Sequence, residues 1–248
     1  MMKINCDIGE RGADHPVDRA LMEKIQIANI ACGGHAGTAA SVKAFRELAV
    51  LHHVEVAAHL SYPDPDNFGR FSMDIAFEDL LRSLDDQYAL MPDVKMIKFH
   101  GALYNDCNAD RALAEALGQW LAAQDMEKVI TPFDSELAAV CREKGMTIVP
   151  EAFAERRYTL VKGTEQLALV SRTKEYASIH SVDEAMIHVR RILKEALVDV
   201  FTEVENGEPQ KQERPIEAQT ICIHSDSDIA LELAEALGAF LEREPGTE

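Results

Sequence analysis

The chain has 248 residues, 43 Asp+Glu against 25 Lys+Arg, for a formal net charge of −18 with neutral histidines. At 47% hydrophobic and 27% charged, it has the composition of a globular protein with a sizeable core, which excludes disorder throughout. An acidic surface repels phosphate backbones, and no dense Lys/Arg stripe offsets it, so a nucleic-acid partner is not expected. No apolar run approaches the ~20 residues of a membrane span. The start lacks a basic region followed by an apolar core, so no secretory signal is expected. Cys6, Cys32, Cys107, Cys141 and Cys222 are odd in number, scattered and free of CxxC, which points to a reducing cytoplasm and to buried small hydrophobes. Cys6 and Cys32 stay open as reactive thiols.

Short apolar runs alternate with segments of helical period. Residues 3–6 and 25–32 read as strands, followed by a helix over 39–51 with Val42, Phe45, Leu48 and Ala49 on one face. The run 54–60 precedes a helix over 77–90, 96–99 precedes one over 109–123, and 129–131 precedes one over 135–144. Residues 147–149 lead into an irregular stretch, and 181–201 is the longest predicted helix, with Ser181 and Glu184 as a capping box. Residues 203–219, polar and Pro/Gly-punctuated, read as a surface excursion. Residues 220–224 form the last strand and 228–241 the last helix, with Asp228 as N-cap and Ile229, Leu233, Leu237 and Phe240 as a buried stripe. Residues 242–248 read as a frayed acidic tail.

Strand–helix alternation repeated about seven times implies βα units around a parallel sheet. No GxGxxG follows the first strand and no GxxxxGK[ST] occurs, so a dinucleotide fold and a P-loop lose their support. A closed or nearly closed (β/α) barrel, one domain over 1–248, is the expectation.

The polar residues at predicted strand ends carry the chemistry. The first run is followed by Asn5, Asp7 and Glu10, the second by Asn29 and His35, the third by His59 and Asp64, the fourth by Lys98 and His100. Later ends carry Asp134, then Glu151 with Glu155, Arg156 and Arg157, then His224 and Asp226. In βα barrels such ends converge on one pocket. Period two puts Asn5 with Asp7, and Lys98 with His100, on shared faces. The carboxylates suit general-base work, metal ligation or orientation of a histidine, the four histidines suit proton transfer or ligation, and Lys98 suits charge neutralisation. His15, His52, His53, His180 and His188 lie in loops or helices and read as structural. The turn Gly33–Thr38 is either a plain βα turn or an anion cradle, and Arg70, Arg156 and Arg157 suit either a carboxylate ligand or surface pairing.

The runs INCDIGE (4–10), ANIACGGHAG (28–37), AAHLSYPD (57–64), NFGR (67–70), KFHGALYN (98–105), EAFAERRY (151–158), LVSR (169–172) and TICIHSD (220–226) resemble, in order, those of the LamB/YcsF family. The resemblance implies a deformed or seven-stranded (β/α) barrel similar to the glycoside hydrolase/deacetylase superfamily. It implies cytoplasmic, ATP-dependent ring opening of 5-oxoproline, a small carboxylate, to glutamate with 5-oxoprolinase subunits B and C. The family's signature falls on Asn5, Asp7, Gly9, Glu10, Asn29, Cys32, Gly33, His35, His59, Pro63, Asp64, Gly69 and Arg70. It continues through Lys98, His100, Gly101, Tyr104, Asn105, Glu151, Phe153, Arg156, Tyr158, Arg172, His224 and Asp226. The chain departs from the family's usual residues at Gly34, Thr38, Ala57, Leu60, Phe99, Glu155, Arg157 and Ser225, and the added bulk of Phe99, Arg157 and Ser225 is expected to reshape the pocket.

Three functional readings follow. In the first, a lactam is activated by phosphorylation from ATP, which is handled mainly by a partner chain. Asp7, His35 or His59 is the base, Lys98 and His100 stabilise charge, and His224–Asp226 shuttles protons. Asn5, Glu10, Asn29, Asp64, Arg70, Tyr104, Asn105, Glu151 and Arg156 then bind substrate. The second reading is a metal-dependent amide or acetyl hydrolase with Asp7, His35 and His59 as ligands of a divalent ion. The third is a non-catalytic ligand-binding partner chain. Homo-oligomerisation stays open.

Overall fold

The structure, a computed structural model, describes residues 2–202 and 209–243. In chain order the elements are β1 (Lys3–Ile8), α1 (Pro16–Leu21), β2 (Ile27–Ala31), α2 (Ala39–His52), β3 (Glu55–Leu60), α3 (Phe77–Tyr88) and β4 (Met96–Phe99). They continue with α4 (Gly101–Ala109), α5 (Arg111–Ala123), β5 (Lys128–Thr131), α6 (Glu136–Glu143), β6 (Thr147–Phe153), β7 (Tyr158–Leu160) and β8 (Leu167–Leu169). After a 3₁₀ turn at Glu175–Ala177 come α7 (Val182–Glu195), β9 (Leu197–Thr202), β10 (Gln210–Pro215), β11 (Thr220–His224) and α8 (Ala230–Arg243).

Seven strands close a parallel barrel in the order β1-β11-β6-β5-β4-β3-β2. Closure pairs the first strand with the last, Asn5 opposite Cys222 and Asp7 opposite His224. Residues of one parity, such as Ile4, Cys6, Ile8, Ile97 and Phe99, join the core between sheet and helices. The predicted stripes hold: Val42, Phe45 and Ala49 of α2 and Leu233 and Leu237 of α8 are buried there. All five cysteines are free and buried, and burial pushes the Cys6 thiol up and that of Cys32 to about 12, so neither is an activated nucleophile. Among the described residues no helix is long and apolar enough to cross a membrane.

Four expectations are corrected. The predicted 181–201 helix ends at Glu195, where Ala196 turns left-handed at φ 52°, and a strand follows. Beyond that turn Val198 and Val200 are buried between half-buried neighbours, a period-two signal that the apolar run masked. The part of the 203–219 excursion from Gln210 to Pro215 pairs antiparallel with β9, in a second sheet ordered β10-β9-β7-β8. Its charges are those of a protected edge, with Lys211 Nζ 2.6 Å from Asp199 and Arg191 Nη2 2.5 Å from Glu213. Residues 203–208, and 244–248 of the acidic tail, lie outside the described residues. The stretch after 149 is strand as far as Phe153, and a further helix, α4, precedes the predicted 109–123 helix. The last helix begins at Ala230, so Asp228 precedes the capping position.

His188 on α7 joins that helix to the barrel by donating from Nε2 to the Phe153 carbonyl at 3.2 Å. Burial lowers it from 6.5 to about 4, so it folds neutral while the unfolded chain protonates near 6.5. Stability from the neutral ring is complete above 6.5 and is lost as pH falls toward 4. Urea unfolding at pH 7.5 and pH 5 is therefore expected to show a smaller acid loss in His188→Gln than in the parent, by about 1–2 kcal/mol.

Candidate active site

Alternation sends every second strand residue into the barrel. At the N-terminal end Ile27, Ala57, Met96 and Ile130, with Val149, form a separate apolar plug. One step further along, the same faces present Asn29, His59, Lys98 and Glu151. The register sets Asp7 beside Asn29 and His59 beside Lys98. A dry floor thus carries a polar layer at the C-terminal ends of the strands.

Lys98 is the centre of that layer. Its Nζ lies 3.1 Å from Asp7 Oδ1 and 2.8 Å from Glu151 Oε1, and it contacts Cys222 Sγ at 3.1 Å. Asn29 donates to Asp7 Oδ1 and to Asn5 Oδ1, both at 2.8 Å, and Asn5 donates to Thr220 Oγ1 at 2.9 Å. Tyr104 donates its hydroxyl to Glu151 Oε2 at 3.0 Å. Burial opposes the Lys98 charge, but Asp7, Cys222 and Glu151 outweigh it and hold the ammonium above its ordinary range. Burial likewise opposes the Asp7 charge, yet His59 and Lys98 hold its carboxyl well below the usual range. Burial and then Glu151 push the Tyr104 phenol up, so it keeps its proton as a donor.

Three histidines stand beside this network. His59 Nε2 is 3.3 Å from Asp7 Oδ2 and 3.0 Å from His100 Nδ1. His35 stacks on His100 with ring centroids 3.6 Å apart, and its Nε2 meets Glu10 Oε1 at 2.8 Å. Burial lowers both His35 and His100 below 6.5, so both rings are neutral at pH 7. Glu10 is aimed by the turn after β1, where Gly9 donates its N–H to the buried Asp18 at 3.0 Å. The Gly33–Thr38 segment is a turn closed by Gly33 N–H to Ala36 O at 2.7 Å, and Gly37 is obligatory because a Cβ there would lie 2.2 Å from Ala31 O.

A cavity of about 1240 Å³ opens above these groups. Asp7, Glu10, His59, Lys98, His100, Tyr104, Asn105, Glu151, Arg156, His224, Asp226 and Arg70 all line it. Asn5 and Asn29 lie beneath as supports, and His35 stands behind His100. Asp64 is not on the wall; it shapes the loop carrying Phe68–Arg70, accepting from Asn67 Nδ2 at 2.9 Å and, through its backbone carbonyl, from Gly69 N at 2.8 Å. At the mouth Asp226 lies 2.9 Å from Arg70 and 3.8 Å from Arg172. Burial opposes the Asp226 charge, but His224 and the two arginines hold its carboxyl below the usual range. Arg156 spends its donors on Ala177 O and Val170 O, and burial with Arg172 lowers it to about 10.

His224 pairs through Nδ1 with Glu155 at 2.5 Å, while Asp226 pairs with the arginines. Glu155, buried and also accepting from His224 N at 2.8 Å, received no catalytic or binding role from the sequence. Its signals were its place after a predicted strand end and its departure from the family's usual Asp. Of the bulky departures, Phe99 packs in the core at the cavity edge, and neither Arg157 nor Ser225 lines the cavity. Arg157 meets Glu184 at 2.5 Å and the Phe201 ring at 4.9 Å instead. At Gly34 a Cβ would lie 2.3 Å from Gln87 Oε1, an atom that accepts from Ser61 N. Gln87 thus fills the space that a side chain at 34 would take.

The model of the LamB/YcsF family matches residues 2–247. An A-type subunit of 5-oxoprolinase from Pseudomonas syringae pv. tomato is 32% identical over 97% of this chain and 93% of its own length. The A-type 5-oxoprolinase subunit of Acinetobacter baumannii is 33% identical over 96% and 93%. Among solved structures, the lactam utilization protein from Thermus thermophilus superposes with a TM-score of 0.76 at 30% identity, covering 98% of this chain and 96% of that one.

Two buried carboxylates depend on one ammonium. Replacing Lys98 by Met is expected to cost about 3–5 kcal/mol at pH 7, because both negative charges lose their counter-ion. Adding Glu151→Gln is expected to recover part of the loss, and lowering the pH to shrink it as the carboxyls take up protons. Urea unfolding of the single and double variants at pH 7.5 and 5.5 measures both.

Proposed function

The chain belongs to the LamB/YcsF family, and from that premise we propose that it is the A component of an ATP-coupled amidase that opens the ring of 5-oxoproline or a close cyclic amide. The observation that carries this reading is the buried ammonium of Lys98 between Asp7 and Glu151, at the floor of a cavity with guanidinium groups at its mouth. An amide carbon is a poor electrophile, and a fixed cation where its oxygen acquires charge lowers the barrier without reorganisation.

Phosphorylation of the amide oxygen by ATP creates a leaving group on the carbonyl carbon. Water then adds to that carbon, the ring C–N bond breaks as the nitrogen takes a proton, and a second water displaces phosphate from the acyl phosphate so formed to leave the glutamate carboxylate. No phosphate-binding GxxxxGK[ST] loop occurs in the sequence, which favours handling of the nucleotide by partner subunits of the B and C type. Asp7, ionised and 3.3 Å from His59 Nε2, orients the water and passes its proton to that imidazole. Lys98 faces the developing oxyanion, while His100, neutral and with its Nε2–H given to the Phe68 carbonyl, takes no part in stabilising it. Tyr104 fixes Glu151 so that Lys98 cannot swing away. His35 lies behind the wall, which narrows the choice of base to Asp7 and His59. His224, paired with Glu155, relays the proton to the ring nitrogen. Arg70 and Arg172, two cations against the single Asp226, hold the substrate carboxylate.

The test is glutamate release from 5-oxoproline and ATP by the chain with its partner subunits, run beside a panel of cyclic amides. Asp7→Ala and His59→Ala are expected to lower kcat by roughly 100-fold or more. Arg172→Ala is expected to act chiefly on KM. Unchanged turnover in the first two variants removes the assignment. Binding of small carboxylates with no turnover in any combination of partners favours a non-catalytic chain.

A further inference from the structure

Glu10, His59 and His100 form a second constellation on the cavity wall. Glu10 Oε1 lies 3.8 Å from His59 Nε2 and 3.4 Å from His100 Nδ1, and those two nitrogens are 3.0 Å apart. The point equidistant from the three atoms is about 2.0 Å from each, the length of a zinc–nitrogen or zinc–oxygen bond.

Hydrogen positions decide what belongs there. His59 Nδ1 lies 3.1 Å from the Lys98 carbonyl, and His100 Nε2 lies 3.1 Å from the Phe68 carbonyl. A carbonyl oxygen only accepts, so each of these nitrogens carries its ring's hydrogen. The inward nitrogens, His59 Nε2 and His100 Nδ1, are the ring atoms left to ligate. The Glu10 carboxylate and Asp7 Oδ2 add acceptors around the same point. Two imidazole nitrogens and two carboxylate oxygens converging on one point make a ligand set for a cation. Giving the outward N–H to a backbone carbonyl is also how metal-ligating imidazoles are held.

We infer that Glu10, His59 and His100 bind one first-row divalent transition ion, with zinc as the reference case. Two imidazoles and a carboxylate with an open side toward the cavity suit such an ion. His35 is a positioning residue, donating from Nε2 to Glu10 at 2.8 Å and bracing His100 by stacking. That tautomer leaves only a lone pair at the buried, unpartnered Nδ1 of His35, which costs less than an orphaned N–H. Of the ligands expected from sequence, His59 is retained, Glu10 takes the place of Asp7, and His100 takes that of His35. A second group with ligand potential, Asp7, Cys222 and His224, is already filled by the Lys98 ammonium, which touches Asp7 and Cys222. When bound, the ion would supply a Lewis acid beside Asp7 and occupy His59 Nε2, which leaves Asp7 as the base of the metal-loaded chain. The binding claim stands without the lactam reading.

The experiment strips the full-length chain with chelator, then titrates it with Zn²⁺ by calorimetry and with Co²⁺ by visible absorption. About one ion per chain is expected, with the visible bands of a low-coordinate nitrogen/oxygen site. Zn²⁺ affinity is expected to fall at least roughly 100-fold in Glu10→Gln and His100→Gln, about 10–100-fold in His35→Asn, and not at all in Cys222→Ser. Should a variant not fold, protection of His100 of the parent chain from diethyl pyrocarbonate by Zn²⁺ gives the same reading. Negligible binding by the parent overturns the inference, as does binding that the Glu10 and His100 variants leave intact or that folded Cys222→Ser abolishes. Zn²⁺ binding without lactam turnover removes the proposed activity and keeps the site; lactam turnover without Zn²⁺ binding does the reverse.

Discussion

A lysine ammonium with 3% of its side chain exposed governs the interior of this barrel. Taking such a charge out of water costs several kcal/mol unless counter-charges and hydrogen bonds replace the solvent. Asp7 and Glu151 supply the charges, but two carboxylates on one ammonium leave lone pairs that need their own partners. Asn29 serves Asp7 and Tyr104 serves Glu151, while Asn5 is held in turn by Thr220. Apart from Tyr104 on α4, these groups come from β1, β2, β4, β6 and β11, five of the seven strands. Barrel register and site geometry are therefore one constraint. A one-residue slip in any of those strands would turn its polar residue into the outer apolar core.

The same constraint explains why so much was readable from sequence. Period two with polar residues at apolar strand ends placed Asp7, His59, Lys98, His100, Glu151 and His224 around one cavity, because a βα barrel leaves its strand ends no other meeting place. What escaped was decided by tertiary partners. Asp64 has the composition of a site residue but closes a local loop, and His35 stands one layer behind the wall. Glu155 took the partnership with His224 that spacing suggested for Asp226, since two arginines at the mouth had already claimed that carboxylate. The Phe68 and Lys98 carbonyls fix two histidine rings, and a backbone atom leaves no trace in residue type. The β9 strand was hidden for a different reason. Apolar residues on both sides of Ala196 let a helical stripe run on, and only a left-handed backbone at that alanine breaks it.

The departures from the family's usual residues divide by position. Leu60 and Phe99 face the strand–helix core, Arg157 leans on Phe201, and Gly34 is matched by Gln87. None of these four alters an ionisable group on the cavity wall. Glu155 does, since a longer acid in place of Asp reaches His224 Nδ1 and its backbone N–H together. Substitution has thus been tolerated where packing can compensate and has touched the chemistry at one acid, the partner of His224 on β11 next to β1.

The acidic surface adds a last step. A chain of formal charge −18 repels anions at long range, yet its cavity mouth holds Arg70 and Arg172 around one carboxylate. Screening confines each field to about 8–10 Å at physiological ionic strength, so a small anion feels the surplus cation only once it has reached the mouth. A large polyanion must also lie across the surrounding acid, where repulsion is spread over many charges. Under the proposed function the arrangement serves to favour small monoanions over extended ones. It also sets a condition on the proposed chemistry: a phosphorylated intermediate must be made at this mouth or passed directly to it, because a free dianion would be disfavoured over the rest of the surface.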